Sequence, residues 1–215
     1  MESYGILEAG APCASQSTTF LTIEFKLARD LGSPKWRGKA ATFNGNTDDA
    51  CTILADISSA LAYIAEKGTV HNDVKAPNIL YDGRVYLIDF GLSRVMADEA
   101  KDAGGGTPWY IAPEKQDRVP ISDVWSLGIV MLYVMGEITL PDVGPAWDIY
   151  KANTMGSKDG KMRFTWIADV EAKREGLLAR VTSSKELRLR ELVNKMLKNK
   201  PKGRIDAYSL AEATK

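Results

Sequence analysis

The sequence predicts an α+β fold, a small β piece followed by a mostly helical body. Three observations predict it. Thr19 to Phe25 (TFLTIEF) alternates apolar and polar residues, the period of a half-buried strand. From Ala50 the period changes: Ala50, Ile53, Leu54, Ile57, Leu61 and Ile64 fall on one face of a helix. Within the helical body two short apolar runs meet at Asp82-Gly83, which supplies the positive φ angles of a tight hairpin turn.

The elements follow in chain order. Ile6 to Gly10 and Thr19 to Phe25 read as strands around a loop of small residues, and Gly32 to Thr47 as a loop without period. Thr47 or Asp48 is expected to cap the first helix and Gly68 to end it. Ile79 to Tyr81 and Arg84 to Ile88 form the hairpin, and Met96 to Gly106 a polar, Gly-rich loop. A second helix is expected from Ser122 or Asp123 to about Gly136; it is apolar almost all round, so it is buried on every side. Glu137 to Asp169 reads as a long loop with a short helix near Trp147 to Lys151. Leu189, Leu192, Val193, Met196 and Leu197 mark an amphipathic helix ended by Pro201, and Asp206 caps a last one.

Composition narrows the function. The 215 residues are 45% hydrophobic and 26% charged, an ordinary globular mix. The 28 basic side chains balance 28 acidic ones, so nothing pulls the chain toward nucleic acid or an anionic membrane, and neither is expected as a partner. Two cysteines, Cys13 and Cys51, make no disulfide framework, and a single histidine, His71, excludes a multi-histidine zinc site. The first residues lack a basic signal-peptide region, and the apolar stretch Val124 to Met135 is too short to span a bilayer. A cytoplasmic location is expected, with the nucleus second. The basic run Lys195, Lys198, Lys200, Lys202 and Arg204 reads first as cations favoured by a helix C-terminus.

The chemistry gathers at the hairpin. His71-Asn72-Asp73-Val74-Lys75-Ala76-Pro77-Asn78 precedes it, and Asp89-Phe90-Gly91 follows. A tight turn brings strand ends together, so Asn78 and Asp89 are expected side by side. Their carbonyl and carboxylate are hard oxygen ligands, suited to Mg²⁺ with bound phosphate. Asp73 and Lys75, two apart in an extended loop, would face the same ion, one as proton acceptor and the other as a charge clamp on a transferring phosphoryl group. Alone, Asp-Phe-Gly is commonly a turn and an Asn at a strand start commonly a cap; the order and spacing of all five residues carry the signal.

With those residues in place the sequence resembles the eukaryotic protein kinase family. His71 to Asn78 is similar to the catalytic loop H-R-D-L-K-x-x-N, and Asp89-Phe90-Gly91 to the metal-binding D-F-G. Gly106-Thr107-Pro108-Trp109-Tyr110-Ile111-Ala112-Pro113-Glu114 matches the segment ending in A-P-E. Ser122-Asp123-Val124-Trp125-Ser126-Leu127-Gly128 resembles the opening of the central helix, and Pro201-Lys202-Gly203-Arg204 the late arginine motif. Small-molecule phosphotransferases share the H-x-D and the metal Asp but lack the last three motifs, so they rank second.

The resemblance implies a protein-kinase-like fold, with residues 1–25 as remnant N-lobe strands and hinge and residues 26–215 as the C-lobe. It implies phosphoryl transfer from Mg²⁺-bound ATP to a protein Ser or Thr hydroxyl. By that resemblance Asp73 is the catalytic base, Lys75 neutralises the γ-phosphate, and Asn78 and Asp89 hold Mg²⁺. Ile23, Glu24 and Lys26 would lie at the strand end and hinge beside the adenine. Lys75 and Thr107 mark Ser/Thr specificity. Glu114 would pair with Arg204, Asp123 would tie the free N–H groups of its helix to the catalytic loop, and His71 would pack and hydrogen-bond.

Two departures stand out. Asn72 replaces the family's Arg, which holds a phosphate on the activation segment, and Ser93 is the only hydroxyl residue between Gly91 and Gly106. The expectation is a segment not switched by phosphorylation, with Asp98, Glu99 and Asp102 as fixed negative charge. Second, there is no G-x-G-x-x-G and no V-A-I-K-like strand before residue 20. Without them ATP would lack a roof and a cation on its α- and β-phosphates. The alternatives to an active kinase are therefore a pseudokinase scaffold that binds a protein partner, or a fragment of an active kinase.

Overall fold

The central helix explains the rest of the architecture. In this computed structural model, which describes residues 28–96, 105–114, 119–152, 154, 156–179 and 181–215, the helix α2 runs Pro120–Val134. Twelve of its residues are buried, Trp125, Leu127, Ile129 and Tyr133 completely. A helix apolar on all faces has to be surrounded, and here it is. α1 (Thr47–Glu66), α4 (Ser184–Met196) and α5 (Ala207–Ala213) pack on it, and α1 also lies on α5. Gly128 permits the approach of α4: a Cβ there would stand 2.7 Å from Leu197 Cδ2.

Helix ends obey local chemistry. Asn46, not Thr47 or Asp48, caps α1. Its side chain accepts from the N–H groups of Asp48 and Asp49, and Asp49 accepts in return from the Asn46 N–H at 2.8 Å. This reciprocal box satisfies donors that helix geometry leaves open. Gly68 follows the helix end with φ +63, and Gly136 follows α2 with φ +74. α2 begins two residues before the expected Ser122 because Pro120 fits the first helical turn, where its missing N–H is no loss.

The expected hairpin is present as β3 (Ile79–Tyr81) and β4 (Val85–Leu87), turned at Gly83 with φ +80. β4 is shorter than the expected Arg84 to Ile88. β1 (Arg29–Asp30) adds to β3, Arg29 opposite Tyr81, so the sheet order is β1-β3-β4, all antiparallel. A second pair joins β2 (Thr69–Val70) to β5 (Arg94–Val95).

The largest correction lies after α2. The 19-residue helix α3 (Lys158–Gly176) begins inside the expected loop and runs past its end at Asp169, and the expected short helix near Trp147 is a turn closed by Asp148, which accepts from the Tyr150 N–H. Ser157 caps α3 at Gly160, where a Cβ would strike the Thr154 carbonyl. No helix among the described residues is long and apolar enough to cross a membrane.

Candidate functional site

The loop between β2 and β3 is short, polar and buried. His71, Asp73 and Asn78 are all at most 6% exposed. Buried polar groups must find partners, and those partners determine the site's geometry. Asp123, near the start of α2, accepts from the backbone N–H of His71 at 2.7 Å and of Asn72 at 3.0 Å. The expectation was that Asp123 would tie its helix's free N–H groups to this loop; the link to the loop is present, and its donors are the loop's own N–H groups. His71 works at both ring nitrogens. Nδ1 accepts from the Asp73 N–H and Nε2 donates to the Ile88 carbonyl at 3.0 Å. Burial lowers its pKa, which matches a neutral ring in this tautomer.

Asp73 is the hub. Its Oδ1 accepts from the Thr107 N–H at 3.0 Å and the Thr107 hydroxyl at 2.9 Å. Its Oδ2 meets the Lys75 ammonium at 2.8 Å and the Asn78 amide at 3.1 Å. Lys75 also donates to Thr107 Oγ1 at 3.0 Å. Four residues read from the sequence, Asp73, Lys75, Asn78 and Thr107, thus form one cluster. Asn78 lies across the ladder from Ile88, whose N–H it accepts at 3.0 Å, so Asp89 stands one residue past the position opposite Asn78. Asp89 is exposed, with left-handed backbone at φ 62 and ψ 71, and its Oδ1 accepts from the Gly91 N–H. Phe90 sets its ring edge-on to His71 at 4.6 Å.

Asn72, where the resembled family has Arg, adopts φ +67, a conformation that Asn tolerates better than most residues. Its Nδ2 donates to the Leu92 carbonyl at 2.9 Å. Further along, Arg204 grips Glu114 with both guanidinium arms, Nη1–Oε1 at 2.6 Å and Nη2–Oε2 at 2.9 Å, and lies over the Trp125 ring. The expected adenine-side residues Ile23, Glu24 and Lys26, and the acidic Asp98, Glu99 and Asp102, lie outside the described residues.

Three residues that the sequence reading missed belong to this neighbourhood. Asp142, in the turn after α2, brings a carboxylate within electrostatic reach of Lys75 and Asp73; burial raises its pKa, and the Tyr110 hydroxyl and Lys75 oppose that rise. Arg163 and Trp166, on α3, bond the carbonyls of Pro113 and Trp109. A faint signal existed in the four-residue spacing of Met162, Trp166 and Val170.

Comparison with known proteins adds a family. A family model described as protein kinase domain matches residues 14–214. Calcium/calmodulin-dependent protein kinase type 1B of Rattus norvegicus is 36% identical over 90 residues, covering 38% of this chain and 26% of that protein. The Homo sapiens protein of the same name matches equally. Serine/threonine-protein kinase PAK 5 of Rattus norvegicus is 35% identical over 94 residues, covering 40% of this chain and 13% of that protein. The matched stretch thus spans about a quarter or less of each of these relatives.

Proposed function

Because the chain belongs to the protein kinase domain family, we propose that it transfers the γ-phosphoryl group of ATP to a Ser or Thr hydroxyl of a protein. The observation that carries this reading is the setting of Asp73, whose two carboxylate oxygens each take two donors. A carboxylate so held keeps one orientation, which is what a proton acceptor needs in a reaction driven by positioning and electrostatics. The Thr107 hydroxyl already donates to Asp73 Oδ1, so a substrate hydroxyl has a donor geometry to imitate. Lys75 bridges Asp73 and Thr107, so its charge would lie beside a phosphoryl group transferred to a hydroxyl at Asp73.

The residues present also fit a hard divalent cation. Asn78 commits its NH₂ to Asp73, and the other arm of the amide is a carbonyl oxygen of the kind Mg²⁺ takes. The exposed Asp89 carboxylate would supply the second oxygen ligand. When bound, Mg²⁺ neutralises charge on the phosphates. Ile23, Glu24 and Lys26 complete the proposal on the adenine side. The partner implied is a protein substrate.

The test uses labelled ATP, Mg²⁺ and a generic Ser/Thr substrate with the purified chain, beside an Asp89→Ala variant. Transfer that disappears in the variant supports the reading. Equal background in both overturns it and leaves a pseudokinase scaffold. A thermal shift with Mg²⁺·ATP, absent in Asp89→Ala, reports binding independently of turnover.

A further inference from the structure

α3 reaches back to the segment that holds Asp73. Trp166 Nε1 donates to the Trp109 carbonyl at 2.8 Å, and its ring meets the Trp109 ring edge-on at 5.1 Å. One turn earlier, the Arg163 guanidinium donates to the Pro113 carbonyl at 2.6 Å. Arg163 is 7% exposed; burial lowers its pKa, and the carboxylate of Glu114, itself paired to Arg204, opposes that fall. A buried guanidinium needs hydrogen-bond acceptors to offset its desolvation, and Arg163 takes the Pro113 carbonyl as one of them. Between the two anchored carbonyls, Ser126 donates to the Tyr110 carbonyl at 2.8 Å. At the front of the segment is Thr107, two residues from Trp109, with both of its donors on Asp73.

We propose that Trp166 and Arg163 are positioning residues, a clamp on residues 109–113 that sets Thr107 against Asp73. The consequence for catalysis rests on Asp73 being the proton acceptor; the clamp itself does not. Neither residue touches a reacting group. Both act through Thr107, whose N–H and hydroxyl orient one carboxylate oxygen. Displacement of a catalytic group by about 1 Å lowers rates by roughly 100-fold, so partial release of the segment is expected to lower turnover by about tenfold.

The test takes Trp166→Phe, which keeps a ring and loses the donor, Arg163→Met, and Arg163→Lys as the conservative variant. Amide hydrogen exchange is followed in residues 105–114 and in α2. In Trp166→Phe and Arg163→Met, exchange in 105–114 is expected to rise about tenfold while α2 stays protected. Arg163→Lys is expected to recover most of that protection. In the phosphorylation assay kcat falls with KM for ATP unchanged. Unchanged exchange in 105–114, or a rise shared equally with α2, overturns the clamp. If no variant and no starting protein transfers phosphate but 105–114 loses protection as stated, the clamp stands and the kinase reading falls.

Discussion

His71 shows how one residue's surroundings decide its chemistry. One ring nitrogen accepts from the Asp73 N–H and the other donates to the Ile88 carbonyl. A second ring proton would face the Asp73 N–H, and burial adds to the cost of charge. The folded pKa is therefore below the unfolded one. Above about pH 6.5 both states are neutral and the contribution to stability is complete. As pH falls below that value the unfolded chain takes up the proton first, and stability declines until the folded pKa is passed. Denaturant midpoints between pH 7.5 and 5 are expected to fall, and His71→Gln to flatten that dependence. The motif spacing made Asp73, Lys75, Asn78 and Thr107 legible. Asp142 and Arg163 were not, because a carboxylate in an aperiodic turn and a guanidinium on a weakly patterned helix carry no local sign of what they face.

At the scale of elements, capping and close approach make separate predictions. Asn46→Ala removes the acceptor for two helix N–H groups, and is expected to cost about 1 kcal/mol in urea unfolding, with a smaller loss for Asn46→Gly. Gly128→Ala pushes a Cβ to 2.9 Å from Leu197 Cγ at a fully buried contact. Overpacking of that kind costs about 1–3 kcal/mol, measured as a lowered urea midpoint with m unchanged. α1 and α4 were legible because their apolar residues repeat at the helical period, α5 because Asp206 caps it, and the hairpin because two short apolar runs meet at Asp82-Gly83. α3 was not. Its polar residues dominate, and its buried ones (Gly160, Arg163 and Val170) are not an apolar stripe. Beyond the faint spacing of Met162, Trp166 and Val170, its contacts to the 109–113 segment are hydrogen bonds to backbone carbonyls, which periodicity does not record.

Across the whole molecule, Glu114 and Arg204 join sequence positions 90 apart. The Arg204 side chain is fully buried and Glu114 is 15% exposed. Arg204→Met or Glu114→Gln alone is expected to cost about 3–5 kcal/mol, since each strands a partner. Arg204→Met with Glu114→Gln together should cost clearly less than the sum, and a urea double-mutant cycle measures the difference. The sequence by itself determined the helical body, the hairpin and the residues that frame it, because period, turn chemistry and motif spacing are local properties written in neighbouring positions. Only the tertiary structure decided that Asp123 takes the N–H groups of His71 and Asn72, that Asn72 binds the Leu92 carbonyl, and that α3 reaches the carbonyls of Trp109 and Pro113. Those contacts join distant residues through backbone carbonyls and N–H groups, which every residue carries, so side-chain identity along the chain does not announce them.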